Sequence, residues 1–220
     1  MMSADKTLGE LVTATPAAAK VLQHHGLDFC CGGTQSLEHA CQTVGLDPDA
    51  VLREIDSLPT VKEDNTRWDQ QPLINLVQHI LKRYHEPLKG EIPRLVALAV
   101  KVEEVHAGKP DCPAGLSRLL TEIQTAVESH LAKEEQILFP LIAAGQGRNA
   151  HMPIQVMLQE HEDHGRNLRR IREMTHELKA PEYACASWRE LYRALAALEA
   201  DLMDHIHLEN NILFPRALAE

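Results

Sequence analysis

Aromatic side chains are the scarcest class in this chain: three Phe, three Tyr and two Trp make up 4% of 220 residues. Sandwiches and barrels draw on aromatic and β-branched residues to fill a pleated core. Their shortage, beside frequent Ala, Leu, Glu and Arg, argues against a β fold and for an all-helical protein. Basic charge is also in deficit, with 22 Lys and Arg against 32 Asp and Glu, a net charge of -10 with histidines neutral. Such a surface repels phosphate backbones, so no nucleic-acid partner is expected. No apolar run approaches the length of a membrane span, so no membrane association is expected either. Met1 to Glu10 is polar and lacks the apolar segment of a signal peptide, which points to the cytoplasm. The five cysteines, Cys30, Cys31, Cys41, Cys112 and Cys185, form an odd, unpatterned set. That excludes a disulfide framework and suits a reducing compartment.

What is present in excess is histidine, with thirteen residues. Their placement follows from the organisation of the chain. Residues 1–58 read as a small domain of short helices, with start signals at Thr15-Pro16 and Asp47-Pro48 and a stop at Gly26. Between them the glycines of Asp28-Phe29-Cys30-Cys31-Gly32-Gly33 mark a loop. The polar stretch 59–71 reads as a linker. From 72 to 220 apolar residues recur at helical spacing. They predict four long helices over about 72–106, 114–144, 152–179 and 184–219, joined by connections short enough to force an up-down bundle. Pro87, Gly90 and Pro93 should bend the first of them.

This C-terminal part is duplicated. His130-x-x-x-Glu134 leads into Ile137-Leu138-Phe139-Pro140, and His205-x-x-x-Glu209 leads into Ile212-Leu213-Phe214-Pro215. Residues four apart on a helix differ by only about 40° around the axis, so each His shares a face with its Glu. Glu135 falls about 140° from His130 and is expected to play no part in metal loading. The repeat extends upstream: His85 precedes His130 by 45 residues and His161 precedes His205 by 44. Each half therefore reads as a helix hairpin with one His on its first helix and His-x-x-x-Glu on its second.

Counting residues from the predicted turns puts His85, His130, His161 and His205 at one depth within about 8 Å, given a rise of about 1.5 Å per residue. Bundles house di-iron and di-manganese sites with inward His and Glu of this kind. Carboxylates bridge two cations and offset their charge, while imidazoles supply neutral donors. A dinuclear site held by His85, His130, Glu134, His161, His205 and Glu209 is the outcome, with iron, manganese or zinc open by ligand softness. His106 lies about 31 Å from His85 along a continuous helix and is set aside as a ligand. His164, three residues after His161, is the reserve. The Ile-Leu-Phe-Pro runs read as core packing and helix ends rather than a cofactor box.

These residues resemble the hemerythrin-like bundle. The wider pattern is similar to the Repair of Iron Centres family, the YtfE/ScdA-type di-iron proteins. It comprises Leu8-Gly9-Glu10-Leu11, Asp28 to Gly33, Arg83-Tyr84-His85, Val105-His106, Glu134 to Pro140 and Leu208-Glu209-Asn210-Asn211. The resemblance covers essentially the whole chain. It implies a cytoplasmic stress-response protein, induced by nitric oxide or oxidants, whose two irons carry oxo and carboxylate bridges. His85, His130, His161 and His205 would ligate them, with Glu134 and Glu209 bridging. It implies damaged iron–sulfur proteins as partners and nitric oxide or dioxygen as small ligands; a homodimer stays open.

Cys30 and Cys31 are a separate signal. Adjacent thiols before Gly-Gly, in a loop, could bind metal, carry nitric oxide or cycle redox state, and the resemblance favours a functional role. Cys41, Cys112 and Cys185 read as packing residues. Three functions compete: a repair factor donating iron to damaged clusters, an enzyme reducing nitric oxide or peroxide, and an oxygen carrier or sensor. No flavin or nucleotide motif supplies electrons for the second, and the third has no need of Cys30-Cys31.

Overall fold

The computed structural model describes residues 3–58 and 66–220. Most of the expected linker, residues 59–65, lies outside the described residues. The protein is all-α. Among the described residues the backbone forms no strand, only an isolated bridge between Thr7 and Ser36.

Among the described residues eleven α-helices follow in order. The N-terminal four are α1 (Leu8–Ala14), α2 (Ala18–His24), α3 (Leu37–Val44) and α4 (Pro48–Asp56). The long helical stretches are built from α5 (Leu73–Ile80) with α6 (Glu86–Val105), α7 (Leu116–Lys133) with α8 (Phe139–Ala143), α9 (His151–Met174), and α10 (Ala186–Leu208) with α11 (Phe214–Ala219). The third stretch ends at Met174 rather than 179. His176, Glu177 and Leu178 adopt positive φ, which a right-handed helix cannot accommodate.

Proline shapes the other three stretches. Leu81–His85, Glu134–Leu138 and Glu209–Leu213 are π-helical turns, and each ends two residues before a proline, Pro87, Pro140 or Pro215. An interior proline lacks an N–H and its ring collides with the carbonyl four residues back, costing about 3 kcal/mol in a regular α-helix. One wide turn relieves that collision. The N–H groups of Glu86, Phe139 and Phe214 reach back five residues, to the carbonyls of Leu81, Glu134 and Glu209. The helices therefore continue through these prolines, and the Ile-Leu-Phe-Pro runs are not helix ends. Pro93 lies within α6 with no such turn beside it.

The chain divides into two compact units, Met1–Gln78 with Leu141–His151 and Met203–Glu220, and His79–Pro140 with Met152–Leu202. In the first, each short helix has its own start. Thr7 and Glu10 form a reciprocal capping box on α1, Ser36 caps α3, and Asp47 caps α4 ahead of Pro48. α2 begins two residues beyond Thr15-Pro16, without a side-chain cap. The core of these helices, centred on Leu11, Leu22, Phe29 and Leu37, also contains Ile206, with Met203 packed at its edge. In the second unit, Trp188, Leu191 and Leu195 of α10 are buried, as are Leu95 and Ala99 of α6 and Leu119 and Leu120 of α7. Arg172 of α9 makes a forked pair with the nearly buried Glu199 of α10, both bonds 2.6 Å. Glu103 of α6 accepts from the backbone and hydroxyl of Ser117 at the start of α7.

Candidate metal centre

In the second unit four of the expected ligands lie together. His85 stands on the last residue of the first π turn, His130 near the end of α7, Glu134 on the first residue of the second π turn, and His161 in α9. All four are at most 2% exposed. The Nε2 atoms of His85 and His130 each lie 3.4 Å from the same carboxylate oxygen of Glu134. The Nε2 atoms of His130 and His161 are 3.1 Å apart. Ligand atoms of His130, Glu134 and His161 all fall within 4.8 Å of one another. His164, also buried, places its ring 5.0 Å from that of His130.

Two of these imidazoles are oriented from behind. His85 Nδ1 lies 3.0 Å from Glu135, whose carboxylate also takes the Lys89 ammonium at 2.8 Å. His130 Nδ1 lies 2.9 Å from Glu160, which pairs in turn with Lys133. Burial pushes the Glu135 carboxyl upward, but the bonds from Lys89 and His85 outweigh it and hold the group below its ordinary range. An ionised carboxylate only accepts, so the facing Nδ1 carries the proton and Nε2 keeps its lone pair for the buried side. Glu135 thus lies off the ligand face, as the helical phase requires, yet is not idle: it steers His85. The two lysines stand four residues after His85 and three after His130, on the same helices, which is the signal that could have revealed this arrangement.

In the first unit His205 Nε2 lies 3.0 Å from Glu209, one helical turn on, and both are buried. Glu209 opens the third π turn as Glu134 opens the second, so the sequence repeat is a repeat of backbone geometry too. Wide turns of this sort recur at functional sites.

This donor set fits transition-metal ions. A carboxylate buried among imidazoles, with Lys and Arg kept outside, is costly unless a cation compensates it. Nitrogen and oxygen donors suit iron, manganese or zinc. These buried His and Glu groups could hold metal. His106 is placed elsewhere, past the last turn of α6, with Nε2 3.1 Å from Cys185 Sγ and its ring over Trp188.

The cysteine loop belongs to the first unit. Cys30 is buried and Cys31 half-buried; their sulfurs are 3.9 Å apart and neither is in a disulfide. Asp28 Oδ1 accepts from the Cys31 N–H at 2.9 Å and from the Cys30 thiol at 3.2 Å. The neighbouring Cys31 thiol, burial and the Asp28 charge hold the Cys30 thiol well above its ordinary pKa. Asn210 and Asn211 of the third π turn donate to the Cys30 carbonyl, each at 3.2 Å, and Asn211 also donates to that of Phe29. His207 completes this layer. It accepts from Asn211 at Nδ1, its ring meets Phe29 edge-on, and burial lowers its pKa to about 4.

Among the described residues no helix is long and apolar enough to cross a membrane. A family profile described as "Hemerythrin HHE cation binding domain" matches residues 76–217, and one described as "Domain of Unknown function (DUF542)", ScdA_N, matches residues 4–59. The chain is 46% identical over 214 residues to a protein of Yersinia pseudotuberculosis serotype IB named iron-sulfur cluster repair protein YtfE, covering 97% of both chains. The protein of the same name from Pectobacterium carotovorum is 44% identical over the same span. Buried His and Glu in duplicated positions and likeness along the whole chain agree: the chain belongs to the hemerythrin HHE cation-binding family, within the YtfE group of its relatives.

Proposed function

We propose that the protein is a di-iron protein that repairs damaged iron–sulfur clusters in the cytoplasm, by donating iron, handling nitric oxide, or both. The observation that carries this reading is the pair of buried His-x-x-x-Glu motifs, each opening a π turn, in a chain that shares 46% of its residues with a cluster repair protein.

In this reading His85, His130, His161 and His205 would hold two irons, with Glu134 and Glu209 as the carboxylate ligands shared between them. Bound iron would supply a redox-active cation able to take nitric oxide or dioxygen, and is itself the cargo in a donation reaction. The protein's own part is electrostatic and positional. Glu134 and Glu209 neutralise positive charge in a buried volume. Glu135 and Glu160 fix the tautomers of His85 and His130. Cys30 and Cys31, outside this set, serve the exchange with damaged iron–sulfur proteins.

The test is an anaerobic single turnover of the iron-loaded protein with nitric oxide, measuring nitrous oxide and released iron together, beside recovery of a nitric-oxide-damaged cluster enzyme. Iron release with recovered activity supports donation. Nitrous oxide formed with iron retained turns the reading to the enzyme. Neither, with about two irons bound per chain, removes the repair function.

A further inference from the structure

We propose that Asp28, Cys30 and Cys31 form a second metal site, separate from the His and Glu set, that takes one thiophilic divalent cation such as ferrous or zinc ion. This deepens the cysteine role proposed above and rests on it, but its test is a binding measurement that repair activity does not enter.

Geometry comes first. One carboxylate oxygen and two sulfurs lie within 4.8 Å of one another. The sulfurs are 3.9 Å apart, far beyond a disulfide bond of about 2.05 Å. With metal–sulfur bonds of about 2.3 Å that separation spans an angle of roughly 115° at the metal, close to tetrahedral. Two soft thiolates with one carboxylate select zinc or ferrous ion over the hard cations that seek all-oxygen cages. Three protein donors leave a fourth position open, which suits exchange rather than a closed structural site.

The loop is held ready for this. Asp28 bonds back to the Cys31 N–H, so the carboxylate and both sulfurs stay on one side of the turn. A side chain at Gly32 would meet the Asp28 carbonyl at 2.6 Å, so the tight turn depends on glycine there. The carbonyls of Phe29 and Cys30 are tied by Asn210 and Asn211. The Gly33 carbonyl accepts from the Gly9 N–H of α1 at 2.8 Å. Cys30 is buried, while Cys31 and Asp28 are partly open, so a cation can enter from one side. Binding exchanges two thiol protons, released to solvent, for two metal–sulfur bonds, and no electron moves.

Cobalt(II) is the probe, added anaerobically to the reduced, iron-loaded full-length protein. One equivalent should produce thiolate-to-cobalt charge-transfer absorption, a signal that imidazole and carboxylate cannot give. It should persist in Cys112→Ser with Cys185→Ser and vanish in Cys30→Ser with Cys31→Ser. Asp28→Asn keeps the acceptor for the Cys31 N–H, so the helical circular dichroism should be unchanged while cobalt binds at least ten-fold more weakly. No thiolate absorption at stoichiometric cobalt, or absorption that survives loss of both cysteines, would overturn the site. Wild-type cobalt affinity in Asp28→Asn would remove Asp28 and with it the three-donor site. Iron content read in the same samples keeps this result apart from the fate of the His and Glu set.

Discussion

Glu135 accepts a hydrogen bond from His85 Nδ1 across 3.0 Å while Lys89 holds the same carboxylate from outside. That relationship makes two replacements of Glu135 differ. Glu135→Gln retains an oxygen able to accept from His85 and should keep iron loading near that of the parent. Glu135→Ala frees the imidazole and should weaken metal binding about 10- to 100-fold, the usual effect of removing such a partner. Competition with a chelator of known affinity measures both; equal loss in the two variants would place Glu135 among the ligands.

Glu134→Ala and Glu209→Ala test the ligand set itself. Each removes a buried carboxylate proposed to bridge both irons, so each should lower iron from about two per chain and abolish magnetic coupling between the irons. Iron analysis and low-temperature magnetic spectroscopy read the two effects. Retention of a coupled di-iron signal in both variants would refute the assignment.

Gly33→Ala probes the seat of the cysteine loop. An added Cβ would collide with the Asn211 side chain and come within 2.7 Å of the Phe29 carbonyl. Overpacking of this kind costs typically about 1–3 kcal/mol. Urea unfolding should show a lower midpoint, and Asn211→Ala in the same chain should recover part of it by making room. An unchanged midpoint in Gly33→Ala would mean that the loop stands off from Asn211.

A fragment from about Asn65 to Glu220 retains all six proposed iron ligands and should still load two irons. Its stability should nevertheless fall. Ile206 is 1% exposed and lies in the core built by the N-terminal helices, and uncovering an Ile of that kind loses about 1.5–3 kcal/mol. Thermal unfolding beside iron analysis separates these outcomes. A fragment as stable as the whole chain would show that the two parts share no core.

The double variant Cys30→Ser with Cys31→Ser should keep the spectrum of the two irons and lose much of its ability to restore a damaged cluster enzyme. Undiminished repair would return both cysteines to a packing role.

The helical class, the four long stretches and the duplicated His-x-x-x-Glu were all legible in the sequence, because helical periodicity and a fixed four-residue spacing are local properties of the chain. The burial of His85, His130, Glu134, His161, His205 and Glu209 agrees with that reading. The π turns could not be foreseen from periodicity, although Pro87, Pro140 and Pro215 were in view; whether a helix breaks, bends or widens at proline depends on the packing that holds its two sides. The partnership of Glu135 with His85 joins residues 50 apart, and that of Asn211 with Cys30 joins residues 181 apart. Sequence determined which side chains could carry the chemistry. Only tertiary structure decided which carboxylates face the imidazoles from behind and which amides clasp the cysteine loop, because a hydrogen bond between distant segments is specified by where the folded core brings their backbones, not by any spacing along the chain.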